Sequence, residues 1–169
     1  RNTGYLSKLE GHDYKKSADD VEECATYFNN RVRLTMGNIL GYSVDAIVNP
    51  ANSSLLGGGG LDGQIHRAAG PEMTCEALKL GGCDVGHAKV TQGHGLRCRY
   101  IIHAVSPAWF DYTPGRVEAL LRQTYRSILR EAEALKAKMI AIPAIGTGVF
   151  KIPSTFAARV LHEELSTYY

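Results

Sequence analysis

Hydrophobic and polar positions follow a regular order along most of the chain. Val32, Leu34 and Met36 stand two apart, with Arg33 and Thr35 between them, the period of a strand with one buried face. Ala46 to Val48 is a short apolar run closing on Asn49 and Pro50, as in a buried strand followed at once by a loop. Ala88–Thr91, Tyr100–Val105 and Met139–Ile142 read as further strands. Between them the period becomes helical. Leu61–Ala69 predicts a short helix beginning near Asp62. Pro71–Leu80 predicts a second, with proline in its first turn and Gly81-Gly82 after its end. The clearest helix opens at Thr113-Pro114, an N-cap followed by proline at N1. It carries Val117, Leu120, Leu121, Tyr125, Ile128, Leu129, Ala132 and Leu135 on one stripe. Ser154 can cap a last helix that carries Ala157, Val160, Leu161 and Leu165. Near the start, Val21, Cys24, Ala25 and Phe28 fall at helical spacing. Residues 1–30, polar and mixed in charge from Lys8 to Glu23, are expected as an N-terminal extension packed loosely on the domain.

Strands alternating with helices imply an α/β domain with a largely parallel sheet and helices on both faces. The length, 169 residues with 44% apolar, suits one domain with a sizeable core. A net charge of +2 with 21% charged residues excludes a disordered acidic tail and a basic nucleic-acid arm. No apolar run approaches the 18 residues of a membrane span, and no signal-peptide segment opens the chain. The cysteines Cys24, Cys75, Cys83 and Cys98 form no C-x-x-C pair, and their spacing with His87 and His94 fits no structural zinc pattern. A domain that builds its own core does not require disulfides. An intracellular, reducing compartment (cytosol, nucleus or an organelle) is therefore expected.

Glycine changes the picture. The chain has 18, roughly 11% against about 7% in average chains, and eleven of them lie between Gly57 and Gly95. Two loops concentrate the chemistry. The first, NPANSSLLGGGGLDG from Asn49 to Gly63, runs from a strand into a helix. Its four consecutive glycines expose backbone N–H groups at a helix N-terminus, a nest for anionic oxygens. It lacks the Gly-Lys-Ser/Thr of a Walker A loop and the order of a dinucleotide fingerprint. Asn49, Asn52 and Asp62 bracket it with groups able to bind or react. The second loop, PAIGTGVF from Pro143 to Phe150, again joins a strand to a helix with small residues and a hydroxyl. Together the loops can hold a diphosphate from two sides. His66 and Arg67 read as surface or supporting groups and His103 as an interior histidine. Trp109, Phe110 and Tyr112 read equally as pocket wall or loop packing.

Asn49–Pro71 (NPANSSLLGGGGLDGQIHRAAGP), Gly86–Gly93 (GHAKVTQG), Tyr100–Pro107 (YIIHAVSP) and Ala141–Phe150 (AIPAIGTGVF) resemble, in this order, macrodomains of the MacroD-type branch. The resemblance covers residues 31–169. It implies a three-layer α/β/α fold with a central mixed, largely parallel sheet. It also implies a metal-independent hydrolase without cofactor that binds ADP-ribose, removes mono-ADP-ribose from acidic side chains of proteins and deacetylates O-acetyl-ADP-ribose. Carried onto this sequence, Asn52 and Asp62 are the catalytic pair, Asn52 orienting the distal ribose. Gly57, Gly58, Gly59 and Gly60 face the diphosphate and that ribose. Ile145, Gly146, Thr147, Gly148, Val149 and Phe150 clamp the diphosphate. Asn38, Ile39, Asn49 and Leu61 complete the ligand-binding set.

The chain departs from the family's usual choices at four of these places. Asn38 replaces the Asp that accepts the adenine amino group, Pro50 replaces Ala, and Ser106 and Gly146 are also exchanged. The resemblance further implies a strand and helix after the helix ending near Leu165, with an aromatic on adenine, which this sequence to Tyr169 does not include. The competing function is a module that reads ADP-ribose without cleaving it. Asn52 and Asp62 beside four glycines favour the hydrolase. A monomer without membrane or nucleic-acid partners is expected, since a charge of +2 with no basic stripe supports only weak, salt-sensitive RNA binding.

Overall fold

The computed structural model describes residues 3–8 and 22–169, with residues 3–8 and 22–24 given by their backbone. The strands are β1 (Thr3–Lys8), β2 (Glu22–Tyr27), β3 (Val32–Met36), β4 (Ala46–Pro50), β5 (Ala88–Gln92), β6 (Tyr100–Ala104) and β7 (Met139–Pro143). The helices are α1 (Gly60–Ala69), α2 (Pro71–Lys79), α3 (Pro114–Ala134) and α4 (Ser154–Tyr168). Among the described residues the strands form one mixed sheet in the order β2-β3-β1-β7-β4-β6-β5. Its heart is parallel: β4 pairs with both β6 and β7. Its flanks are antiparallel, β5 on β6 at one side and β1, β3 and β2 at the other.

Period-two alternation on the buried strands divides the core. Ile47, Ile101 and Ala141 point to one face, where they pack with Ile65, Ala69, Met73 and Ala77 of α1 and α2. Val48, Ile102, Ile140 and Ile142 point to the other, against Val117, Leu121, Tyr125 and Ile128 of α3 and Val160 and Leu161 of α4. The result is the three-layer arrangement expected. Thr113 caps α3 as its position predicts, its hydroxyl accepting from the Arg116 N–H. Among the described residues, no helix is long and apolar enough to cross a membrane.

Three expectations are corrected. Residues 22–27 form strand β2 rather than a helix, while Val21 lies outside the described residues. The four apolar positions met the helical template, but Phe28, Asn29 and Asn30 adopt left-handed φ of 52°, 55° and 63° and turn the chain back antiparallel onto β3. Asn-Asn tolerates that region best among non-glycine residues, and this was the turn signal. The stretch expected as a loose extension therefore supplies two strands, with β1 inserted between β3 and β7. Ser154 is the first residue of α4, not its cap. Pro153 holds the extended N-cap position and makes no side-chain capping bond.

The helices α3 and α4 are also joined by charge. Glu164, with only 5% of its side chain exposed, accepts from Arg122 Nη1 at 3.0 Å and from Arg126 Nε at 2.7 Å. Arg122 also reaches Glu118 at 2.7 Å and Glu163, and Arg159 reaches Glu118 at 2.8 Å. Burial pushes the Glu164 carboxyl up, but Arg126 and Arg122 outweigh it and hold it below the usual range. Arg159 and Arg122 bring Glu118 down to about 2. Carboxylates whose pKa is depressed by folding stabilise the fold above their unfolded pKa and lose that contribution as the pH falls through the folded value. Glu164→Gln is expected to cost about 1 kcal/mol near neutral pH and to flatten the fall of Tm between about pH 5 and about pH 3. Thermal unfolding across that range checks it, and a curve identical to the parent's would show that the network adds nothing.

Candidate functional site

The parallel strands β4 and β7 run out at the same end of the sheet, and the loop after each leads to a helix. Between these loops lies a cavity of about 610 Å³, a volume suited to a ligand of nucleotide size. Pro50, Asn52, Gly58, Gly59, Gly60, Leu61 and Asp62 form one wall. Pro143, Ala144 and Gly146 through Phe150 form the opposite wall, and Tyr125, Ser154, Ala157 and Ala158 close the side toward α3 and α4.

Close backbone approach shapes both walls. A Cβ at Gly63 would stand 2.4 Å from the Gly58 carbonyl oxygen, so the glycine loop can fold against the first turn of α1 only because position 63 has no side chain. Gly146, at φ +76°, would place a Cβ 2.5 Å from Ile152 Cδ1 and 3.1 Å from Ser106 Oγ. The two departures Ser106 and Gly146 thus face each other across one contact. The N-cap of α1 is Gly59, which has no side chain to cap the helix. The first-turn N–H groups therefore keep their capacity for an anion.

Asp62 sits in that first turn, 6% exposed. Its Oδ1 accepts from Asn49 Nδ2 at 2.8 Å, while its Oδ2 lies on the side of Gly58. Burial raises its pKa; the Asn49 hydrogen bond and the nearby His66 oppose the rise without cancelling it. The helix N-terminus favours the ionised form as well. Asn49 itself is fully buried, and its Nδ2 also lies 3.0 Å from His103 Nδ1. Its Oδ1 is buried without a hydrogen-bond partner among the described residues, which costs on the order of 1–3 kcal/mol. Asn52 closes its own loop. Its Nδ2 donates to the Gly57 carbonyl at 3.0 Å, and its Oδ1 accepts from the Ser54 N–H at 3.1 Å and the Ser54 hydroxyl at 2.6 Å. One amide hydrogen of Asn52 remains, on the side of Gly58.

The structure brings together Asn52, Gly58, Gly59, Gly60, Leu61, Asp62, Gly146, Thr147, Gly148, Val149 and Phe150 on the cavity walls. Five other residues of the expected set lie off these walls. Asn49 is beneath Asp62, Gly57 supplies the carbonyl that holds Asn52, and Ile145 is fully buried in the core. Asn38 spends its side chain capping the single 3-10 turn Ile39–Gly41, where Oδ1 accepts from the Leu40 N–H. Ile39 is 3% exposed and packs in the core. The Trp109 ring packs edge-on against Phe156 at 5.2 Å and its backbone N–H donates to the Phe150 carbonyl at 2.7 Å, which makes this loop packing that braces the second wall. Phe110 stays 67% exposed.

His66 is a supporting group. Its Nε2 lies 3.4 Å from Asp62 Oδ1, and its Nδ1 lies 3.1 Å from Thr74 Oγ1. The signal was present, since Asp62 and His66 are i, i+4 on one helix and must share a face. His103 is the interior histidine expected. Burial, with the His66 charge adding to it, pushes its pKa down to about 4. Among the described residues, no group of three His, Cys, Asp or Glu side chains is placed to hold a metal ion.

Comparison with known proteins places these features. The family model for the macro domain matches residues 48–161. ADP-ribose glycohydrolase MACROD2 of Homo sapiens is 40% identical over 153 residues, covering 90% of this chain and 36% of that protein. The O-acetyl-ADP-ribose deacetylase of Escherichia fergusonii is 43% identical over 143 residues, covering 82% of this chain and 80% of that protein. Among solved structures, the Trypanosoma brucei macrodomain in complex with ADP-ribose superposes with a TM-score of 0.69 at 35% identity, covering 78% of this chain and 54% of that one.

The contact at Gly63 is open to test. Gly63→Ala is expected to displace the Gly58 carbonyl and destabilise the fold by about 1–3 kcal/mol. Thermal unfolding and the amide shifts of Gly57–Gly60 report it; parental values of both would show that the loop does not depend on this approach.

Proposed function

The chain belongs to the macro domain family, and from that premise we propose that it is a MacroD-type hydrolase. In this reading it removes mono-ADP-ribose from acidic side chains of proteins and deacetylates O-acetyl-ADP-ribose. The observation that carries the reading is Asp62: a buried carboxylate with one oxygen anchored and the other on the wall of a cavity between two glycine-rich, strand-end loops. The relatives named a glycohydrolase and a deacetylase support it. So does the ADP-ribose held by a structural neighbour.

Both reactions break an ester to the distal ribose. The diphosphate binds against the backbone N–H groups of Gly58–Gly60 and of Gly146–Phe150, which neutralise it with fixed dipoles. Asn52, with its remaining amide hydrogen, orients the ribose at the mouth of the glycine loop. Asp62 Oδ2 orients a water for attack on the ester and draws its proton, alone or with a phosphate oxygen of the substrate, and that proton passes to the departing oxygen as the ester bond breaks. Anchoring Oδ1 keeps the carboxylate from turning away.

Release of ADP-ribose from a carrier modified on glutamate tests the reading. Asp62→Ala is expected to lower the rate by about a hundredfold or more with the fold retained by circular dichroism. Asn52→Ala is expected to lower it about tenfold and also to raise KM, because the same change frees Gly57. Parental turnover in both variants would sink the site. Tight ADP-ribose binding with no release from any acid-linked substrate would make the protein a reader instead. Asp62 works ionised and burial raises its pKa, so the rate should fall on acidification at a higher pH than an ordinary carboxylate would give.

A further inference from the structure

A buried chain of hydrogen bonds leads from the cavity into the sheet. Asp62 Oδ1 takes one amide hydrogen of Asn49, at 2.8 Å. The same Asn49 nitrogen lies 3.0 Å from His103 Nδ1, and His103 Nε2 lies 2.9 Å from Thr91 Oγ1. Sheet register sets this up: Asn49 on β4 is the direct partner of His103 on β6, and β5 brings Thr91 from the far side. Asn49 and His103 are 0% exposed and Thr91 is 1% exposed.

The directions of the hydrogens follow from the donor inventory. An ionised carboxylate only accepts and an amide nitrogen only donates. Asn49 Nδ2 therefore gives one hydrogen to Asp62 and the other to His103 Nδ1. The imidazole must then be neutral with its own hydrogen on Nε2, donated to Thr91 Oγ1. On its other side the Asn49 amide oxygen has no partner among the described residues. The amide is thus held in register by His103 and by Asp62 itself. Rotated half a turn, it would press its oxygen against the carboxylate.

We propose that His103 is a positioning residue for the reaction: it holds the Asn49 amide nitrogen toward Asp62, which pins Asp62 Oδ1 and leaves Oδ2 to the cavity. The inference rests on the reading of Asp62 as the catalytic carboxylate. The other titratable or charged groups around Asp62 are His66, 3.4 Å from Oδ1 on the same helix, and Arg67, whose Nη1 lies close to Gly63. His66 also faces His103, with ring centroids 6.3 Å apart. None of these supplies an acceptor for the second Asn49 hydrogen.

The test compares His103→Gln with His103→Asn in the full chain. Asparagine can present an acceptor near the Nδ1 position, whereas glutamine carries its polar group out toward Thr91. For His103→Gln, kcat on the glutamate-linked carrier should fall roughly tenfold. KM and ADP-ribose affinity should stay at parental values, and the acid limb of the kcat profile should move to higher pH, because Asp62 loses a hydrogen bond that favours its ionised form. His103→Asn should keep kcat within about threefold and the parental limb. His103→Gln with parental kcat and limb, or His103→Asn as impaired as His103→Gln, would overturn the proposal. Nitrogen-15 NMR of the parental protein gives an answer that needs no variant to fold. His103 should be neutral with hydrogen on Nε2 from about pH 5 to about pH 8, and a hydrogen on Nδ1 would refute the inference. Parental turnover in Asp62→Ala would remove the proposed function and this inference together. Loss of turnover in Asp62→Ala with an unperturbed His103→Gln would remove the inference alone.

Discussion

A carboxylate taken almost out of water must be held by something, and here one amide nitrogen does it. Asn49 Nδ2 donates to Asp62 at 2.8 Å from the last turnable position of β4, before the chain leaves the sheet. That contact adds a polar tie between the sheet and the first turn of α1, beside the apolar packing of Leu61 and Ile65. It also accounts for an otherwise unfavourable choice, an amide oxygen buried without a partner. Buried polar groups are normally satisfied, and the exceptions collect at functional positions.

The two walls divide the remaining work by chemistry. The loop from Gly57 to Gly60 is shaped by side chains that are absent, since Gly63 allows the backbone to fold onto the helix. The loop from Ala144 to Phe150 also depends on a missing side chain, at Gly146, but is held by bonds as well: the Thr147 hydroxyl to the Ala144 carbonyl at 2.8 Å, Ile152 backbone N–H to the Gly146 carbonyl at 2.9 Å and Trp109 backbone N–H to the Phe150 carbonyl at 2.7 Å. One wall can approach a ligand closely, and the other can keep its shape while it does. Preorganised N–H groups stabilise charge best when they need no rearrangement.

Much of this was legible in the sequence where the signal is local. The strand at Val32–Met36, the apolar run at Ala46–Val48 and the Thr113-Pro114 cap each report their own neighbourhood and sit in the structure as read, but the alternation on β3 does not hold face by face: Thr35 is buried against the Tyr42 hydroxyl while Leu34 and Met36 stay half-buried. What was missed depended on which partner each segment or side chain found. Residues 22–27 satisfied a helical template and became a strand because β3 was there to pair with them. Asn38 caps a 3-10 turn and Ile39 fills the core, local roles that the family expectation of ligand contact did not describe. His103 could be read as interior, but its link to Asp62 passes through Asn49, 54 positions away in sequence. No local pattern reports such a link.

The register of β4 on β6 has a consequence in time. Asn49 and Asp62 are close in sequence, only 13 residues apart, so they can meet early. The strand that carries His103 is made much later, and β7 on the other side of β4 later still. Non-local, parallel pairings of this kind form slowly because loop closure comes before reward. A chain in the course of synthesis therefore holds its acidic group and glycine loop beside a half-built sheet, and a slip of one residue between β4 and β6 would turn Asn49 to the opposite face. Competence of the site is then a late event in folding, and the site's chemistry reports whether the sheet has closed in the right alignment.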